Sequence, residues 1–204
     1  KEAIDQLKAR EKSLVRISQN LADLLEQLQT EQDKSEHLLL NILPKPIAVR
    51  LKAGEKIIAD YYSEATVMFT DVVNFTSYAS SVSPAEMVDS LNQLFKRIDV
   101  LVKKHGLEKI KTSGDAYMVA GGLPMPRPDH LEAMAELALD IQTDLSQNAK
   151  QKLHVRTGMH TGPVIAGVIG DERFIYDIWG DTVNVASRMQ AVCPPDCILV
   201  TPDV

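Results

Sequence analysis

Leucines recur at Leu7, Leu14, Leu21 and Leu28 in a stretch rich in Glu, Gln and Lys, with no Gly or Pro before Pro44. Leucines at heptad spacing mark one side of a two-helix seam. The companion layer is divided. Ile4 and Leu25 flank the leucines in one register, with Glu11 and Ser18 as poor members, and Ile17 and Leu24 flank them in another. The pattern predicts a long coiled-coil helix over residues 1–43 with two near-degenerate registers, or a plain amphipathic linker helix. Pro44 and Pro46 break it. Residues 47–53 have room for two helical turns stopped by Gly54, and Ile57–Asp60 reads as a short strand or extended link. Residues 44–64 are therefore a linking segment, and a core domain starts at Ala65.

From Ala65 the periodicity alternates between two and 3.6. Ala65–Thr70 reads as a short buried strand. Ser83-Pro84-Ala85-Glu86 combines a capping box with Pro at the first helical position. The helix that follows carries Met87, Leu91, Leu94, Phe95, Ile98, Leu101 and Val102 on one face and stops at His105-Gly106. Leu107–Thr112 and Ala116–Ala120 are two strands joined by a turn at Ser113-Gly114-Asp115. Residues 129–147 form a second amphipathic helix, and Leu153–Thr161 alternates as a strand. This β-α-β-β-α-β order predicts an α+β, ferredoxin-like core. Both helices would cover one sheet face, leaving the other for a ligand or partner subunit. Phe174–Ile178 adds a strand, Asp181 caps a helix running to about Gln190, and Ile198–Val200 is a last short strand.

Composition narrows the chemistry. The 204 residues are 45% hydrophobic, enough for one good core and an appendage. The net charge of −6 argues against a nucleic-acid surface, which needs clustered Lys and Arg. No run is long enough to span a bilayer, so membrane contact by residues 1–204 is not expected. Cys193 and Cys197 lack a second ligand pair for zinc and read as free thiols of a cytoplasmic protein. Asp71 ends the first strand just ahead of a helix approach. Taken alone it is either a turn cap or a ligand of a Mg²⁺–polyphosphate site. In the predicted topology Asp115 lies in the hairpin turn beside it. Two carboxylates so placed can bridge two Mg²⁺ ions for in-line displacement at phosphorus.

VMFTDVVNFT (67–76), LEKIKTSGDAYMVAGG (107–122), VRTGMHTGPVIAGVIG (155–170) and YDIWGDTVNVASRM (176–189) together resemble the class III nucleotidyl cyclase catalytic domain. Residues 38–60 also resemble the transducer that joins signalling helices to such domains. The resemblance implies a signalling helix (1–43), a transducer (44–64) and a catalytic domain (65–204) that in the family continues further, into a helix and a hairpin bearing a Lys for the triphosphate. It implies two Mg²⁺ or Mn²⁺ ions held by Asp71, Asp115 and the Val72 carbonyl. Phe75 and Thr76 fall where backbone N–H groups hold the terminal phosphates, and Arg156 where an arginine contacts the outer phosphates. Lys111 and Asp177 match the pair that reads adenine, where guanylyl cyclases usually carry Glu and Cys. Asn184 and Arg188 match the transition-state pair. In the family the metal aspartates come from one protomer and the remaining groups from the other, which implies a head-to-tail homodimer under an upstream sensor, with the full-length protein free to be membrane-tethered. The expected activity is conversion of ATP to cyclic AMP. The alternatives are a guanylyl cyclase and a catalytically weak nucleotide-binding dimerisation module. A diguanylate cyclase is disfavoured because the turn reads Thr-Ser-Gly-Asp rather than GGDEF.

Overall fold

The capping box before the first core helix forms as its residues dictate. In a computed structural model that describes residues 2–147, 153–170 and 173–204, the Ser83 backbone N–H donates to the Glu86 carboxylate at 2.9 Å. The Glu86 N–H donates back to Ser83 Oγ at 3.3 Å. The chain divides into two compact units, 1–43 and 44–204.

In the first unit, α1 (Glu2–Leu40) is one uninterrupted helix of 39 residues. Leu14, Ile17, Leu21, Leu24, Leu25 and Leu28 are all exposed on it. The side chains of Ile4 and Leu7 lie outside the described residues. Among those residues no helix is long and apolar enough to cross a membrane.

In the second unit, α2 (Lys45–Lys52) precedes β1 (Ala59–Val72). Arg50 of α2 is bound to Asp60 through both carboxylate oxygens, and its Nε donates to Glu55 at 2.8 Å. α3 (Phe75–Ser81), α4 (Pro84–Lys104), β2 (Glu108–Ser113), β3 (Ala116–Gly121) and α5 (His130–Gln147) follow. They lead into β4 (Val155–Ile169), β5 (Ile175–Trp179), α6 (Asp181–Val192) and β6 (Ile198–Val200). The strand order is β2-β3-β1-β4-β5, all antiparallel, with β6 parallel to β4. The first four strands have the predicted ferredoxin-like arrangement.

One core lies between the sheet and α4–α5. Met68, Val72, Tyr117, Val119 and Met159 meet Leu94, Ile98, Val102, Met134, Leu137 and Ile141, all buried. Thr66, on the same side of β1 as Met68, bonds to the buried His130 of α5 at 2.7 Å.

Four expectations need correction. β1 begins at Ala59 rather than Ala65, so residues 59–64 belong to the sheet. The strand predicted over 153–161 instead runs from Val155 to Ile169, 15 residues, and continues through Pro163. Pro163 has no N–H to give, and it sits where the β1–β4 ladder skips a register between Tyr62 and Ala65, so no ladder bond is lost. The opposite sheet face is not left free, because α6 covers part of it. A Cβ added to Gly158 would lie 1.9 Å from the backbone N of Gln190, so helix and strand touch backbone to backbone. The N-cap of α6 is Gly180, and Asp181 is the first helical residue, where its charge faces the positive helix end.

Candidate active site

Two adjacent strands bring the aspartates together. Asp71 pairs in register with Ala116 across the β1–β3 ladder, which leaves Asp115 beside it in the turn. Gly114 takes φ 62° there, a left-handed conformation that glycine adopts without a Cβ penalty. Burial, and then the neighbouring Asp71 charge, push the Asp115 carboxyl above its ordinary value, while Arg156 pulls it the other way. Asp71 Oδ2 accepts from Arg156 Nε at 3.0 Å, Arg156 Nη2 at 2.7 Å and Gln190 Nε2 at 3.1 Å. The side-chain donor set is hard oxygen and carries excess negative charge, which fits Mg²⁺ or Mn²⁺ better than a softer ion. Among the described residues no group of three or more His, Cys, Asp or Glu is placed to hold a metal. A cation here would need backbone or substrate oxygens besides the two carboxylates.

The chain then turns. Val72 ends β1, buried, and Asn74 adopts φ 55° to start α3. No side-chain cap covers that helix start, where the first two residues are Phe75 and Thr76. The Phe75 ring packs against the core and against Tyr78, at 6.3 Å between centroids.

Lys111 reaches Asp177 because of one irregularity. In a regular strand Lys109 and Lys111 would point the same way. The β2–β3 register instead runs Lys109↔Val119 and then Lys111↔Met118, so Ile110 is an extra residue. Lys109 points to the helix face, over the Tyr117 ring and onto Asp99 at 2.8 Å. Lys111 is turned to the other face and meets Asp177 Oδ2 at 2.5 Å. β2 and β5 stand at opposite ends of the strand order, so the contact requires a curled sheet.

Asn184 and Arg188 both lie on the exposed side of α6, opposite the buried Thr182, Ala186 and Gln190. The structure thus forms two groupings within one chain: the aspartates with Arg156, and Lys111 with Asp177. Asn184 and Arg188 face outward. Arg156 is found on Asp71 and on the Ala191 carbonyl at 3.1 Å. Sequence reasoning did not find Gln190. A glutamine one turn from a helix end has no signature, and only the Gly158 contact brings it to Asp71.

A family model described as the adenylate and guanylate cyclase catalytic domain matches residues 57–204. An adenylate cyclase of Mycobacterium tuberculosis is 53% identical over 168 residues, which make up 80% of this chain and 38% of that protein. The human guanylate cyclase soluble subunit beta-2 is 37% identical over 193 residues, 93% of this chain and 31% of that protein. The chain therefore spans well under half the length of either relative. The crystal structure of the catalytic core of a rhodopsin-guanylyl cyclase with converted specificity, in complex with ATPαS, is 38% identical with a TM-score of 0.68. It covers 71% of this chain and 80% of that one.

Proposed function

Because the chain belongs to the adenylate and guanylate cyclase catalytic domain family, we propose that it is an adenylyl cyclase converting ATP to 3′,5′-cyclic AMP and pyrophosphate. The observation that carries the choice of base is the Lys111–Asp177 contact. An ammonium can donate to adenine N1, and a carboxylate can accept from the exocyclic amine. Guanine presents N1–H and O6 instead, which sets donor against donor and acceptor against acceptor. Each member of the pair holds the other in place before substrate arrives.

Asp71, Asp115 and the Val72 carbonyl would hold two Mg²⁺ or Mn²⁺ ions. When bound, these would lower the pKa of the ribose 3′-hydroxyl and neutralise charge on the triphosphate. The remaining steps fall to the chain. The 3′-oxygen gives its proton to solvent water and forms a bond to the α-phosphorus, and the α–β bridging bond breaks with its electron pair leaving on pyrophosphate. The N–H groups of Phe75 and Thr76, together with Arg156, would hold the outer phosphates. Arg156 would exchange part of its bond to Asp71 for them. Asn184 would orient the ribose, and Arg188 would stabilise charge building on the α-phosphate. The outward placement of these two residues on α6 supports their use in a partner's site within a head-to-tail homodimer. Control through α1 by an upstream sensor, and a cytoplasmic location, complete the reading.

Turnover with ATP and with GTP, in Mn²⁺ or Mg²⁺, tests it. Cyclic AMP should form with a preference of about 100-fold or more for ATP, as expected where a donor–acceptor pair is mismatched by the wrong base. Asp71→Ala should abolish turnover. Equal or faster use of GTP would make the chain a guanylyl cyclase, and absence of turnover with either nucleotide would favour a nucleotide-binding regulatory module.

A further inference from the structure

Resting on the reading of Asp71 as a metal ligand, we propose that Gln190 is a positioning residue for that carboxylate and so sets the affinity of the metal site. Gln190 is 8% exposed, on the buried side of the last turn of α6. Its Nε2 donates to Asp71 Oδ2 at 3.1 Å, the oxygen that also takes both Arg156 bonds. Three donors thus converge on one carboxylate oxygen, and the Asp115 carboxyl lies within hydrogen-bond reach of the same group. The donors on Oδ2 restrain the rotation of the carboxylate beside Asp115.

The amide suits this place better than a carboxylate would. Asp71 and Asp115 already repel each other, and a donor without charge can restrain Asp71 without adding to that repulsion. Its own placement is rigid. Arg156 Nη1 donates to the Ala191 carbonyl at 3.1 Å, and Gly158 lets the Gln190 backbone rest on β4. Asn184 and Arg188 project from the other side of the same helix. In a head-to-tail dimer α6 therefore serves two sites: Gln190 acts on the metal carboxylate of its own protomer, and the outer face acts in the partner's.

Gln190→Met keeps the volume and removes the donor. Direct titration of the protein with Mn²⁺ alone, read by the electron paramagnetic resonance of the free ion, should show a dissociation constant raised about 10-fold, the usual effect of losing an outer-sphere partner. Gln190→Asn, whose amide falls short by one methylene, should give the same loss if the Met variant does not fold. An unchanged dissociation constant in a folded variant would overturn the proposal. A second readout separates positioning from general damage. Mixed dimers of Asp71→Ala and Arg188→Ala protomers should have one live site, whose metal carboxylates come from the Arg188→Ala chain. Gln190→Met in that chain should raise the Mn²⁺ requirement, and in the Asp71→Ala chain should leave it unchanged. Equal effects in both would overturn the positioning role. If the mixed dimers are inactive without any change at Gln190, the shared-site reading fails, while the Mn²⁺ titration still decides the role of Gln190.

Discussion

At the scale of single residues, sequence and structure part where identical side chains meet different surroundings. Lys109 and Lys111 are indistinguishable by alternation, and only the bulge at Ile110 sends one to the α4 face and the other to Asp177. The resemblance to a family singled out Lys111; periodicity could not, because a one-residue bulge leaves no mark in the hydrophobic pattern. Glu108, three positions earlier, yields a prediction that needs no ligand. Burial pushes its carboxyl up from 4.5 to about 7. The folded state therefore holds this proton more tightly than the unfolded chain does. The stability it contributes is complete below about pH 4.5 and is lost as pH rises through about 7. Glu108→Gln stays neutral throughout. Its unfolding free energy should match the wild type near pH 4.5 and exceed it at pH 8, by at most about 3 kcal/mol over that window. An offset between the two proteins that does not change with pH would show that the Glu108 carboxyl ionises as freely in the fold as outside it.

At the scale of elements, legibility followed how local the cause is. α4 was readable because its start lies in four adjacent residues, Ser83 to Glu86, whose reciprocal bonds form as their order implies. The pairing of β1 with β3 was readable because the hairpin turn and the β-α-β-β-α-β order leave few alternatives. The alternation that marks a strand over Leu153–Thr161 stops just before Gly162-Pro163. The strand survives because a bulge in a partner distant in sequence removes the need for the missing N–H. The placement of α6 on the supposedly open face was equally invisible, since it depends on a single missing side chain at Gly158. That dependence can be measured. In Gly158→Ala the new methyl meets backbone atoms, with 1.9 Å to Gln190 N and 2.5 Å to Gln190 Cα. Neither α6 nor β4 can yield by rotating a side chain. Denaturant unfolding should show a loss of about 3 kcal/mol, at the upper end of overpacking costs. A variant within ~0.5 kcal/mol of wild type, the range of ordinary surface changes, would mean that α6 lifts off the sheet at little cost.

At the scale of the whole molecule, Asn184 and Arg188 lie on the exposed side of α6, away from the Gln190 side that meets Asp71. By register Ile165 and Trp179 pair across β4 and β5, Ile169 pairs with Ile175, and Gly167 with Asp177 lies between them on the same side. Tyr61 joins Ile165 from β1. All five of these large apolar side chains are exposed: Tyr61 by 70%, Ile169 by 59%, Ile175 by 55%, Ile165 by 48% and Trp179 by 37%. An apolar strip that brackets the Asp177 carboxylate calls for cover. A second copy laid head to tail would bury the strip and bring the exposed face of α6, with Asn184 and Arg188, toward the partner's aspartates. Activity should then depend on association. Turnover per protomer should rise with protein concentration and level off where sedimentation shows dimers. Ile169→Glu places a charge in the strip without touching Asp71, Asp115, Lys111 or Asp177. It should shift both curves together to higher concentration by about 10-fold or more, since burying an unpaired charge in an interface costs well over 1.4 kcal/mol. At saturating concentration its turnover per protomer should approach that of the wild type, because the substitution weakens the encounter and leaves the assembled site intact. Turnover per protomer that stayed constant across the monomer–dimer transition would instead place a complete active site within one chain. The outward direction of Asn184 and Arg188 would then have to be explained by movement of α6 alone, against the backbone contact at Gly158 that holds it down.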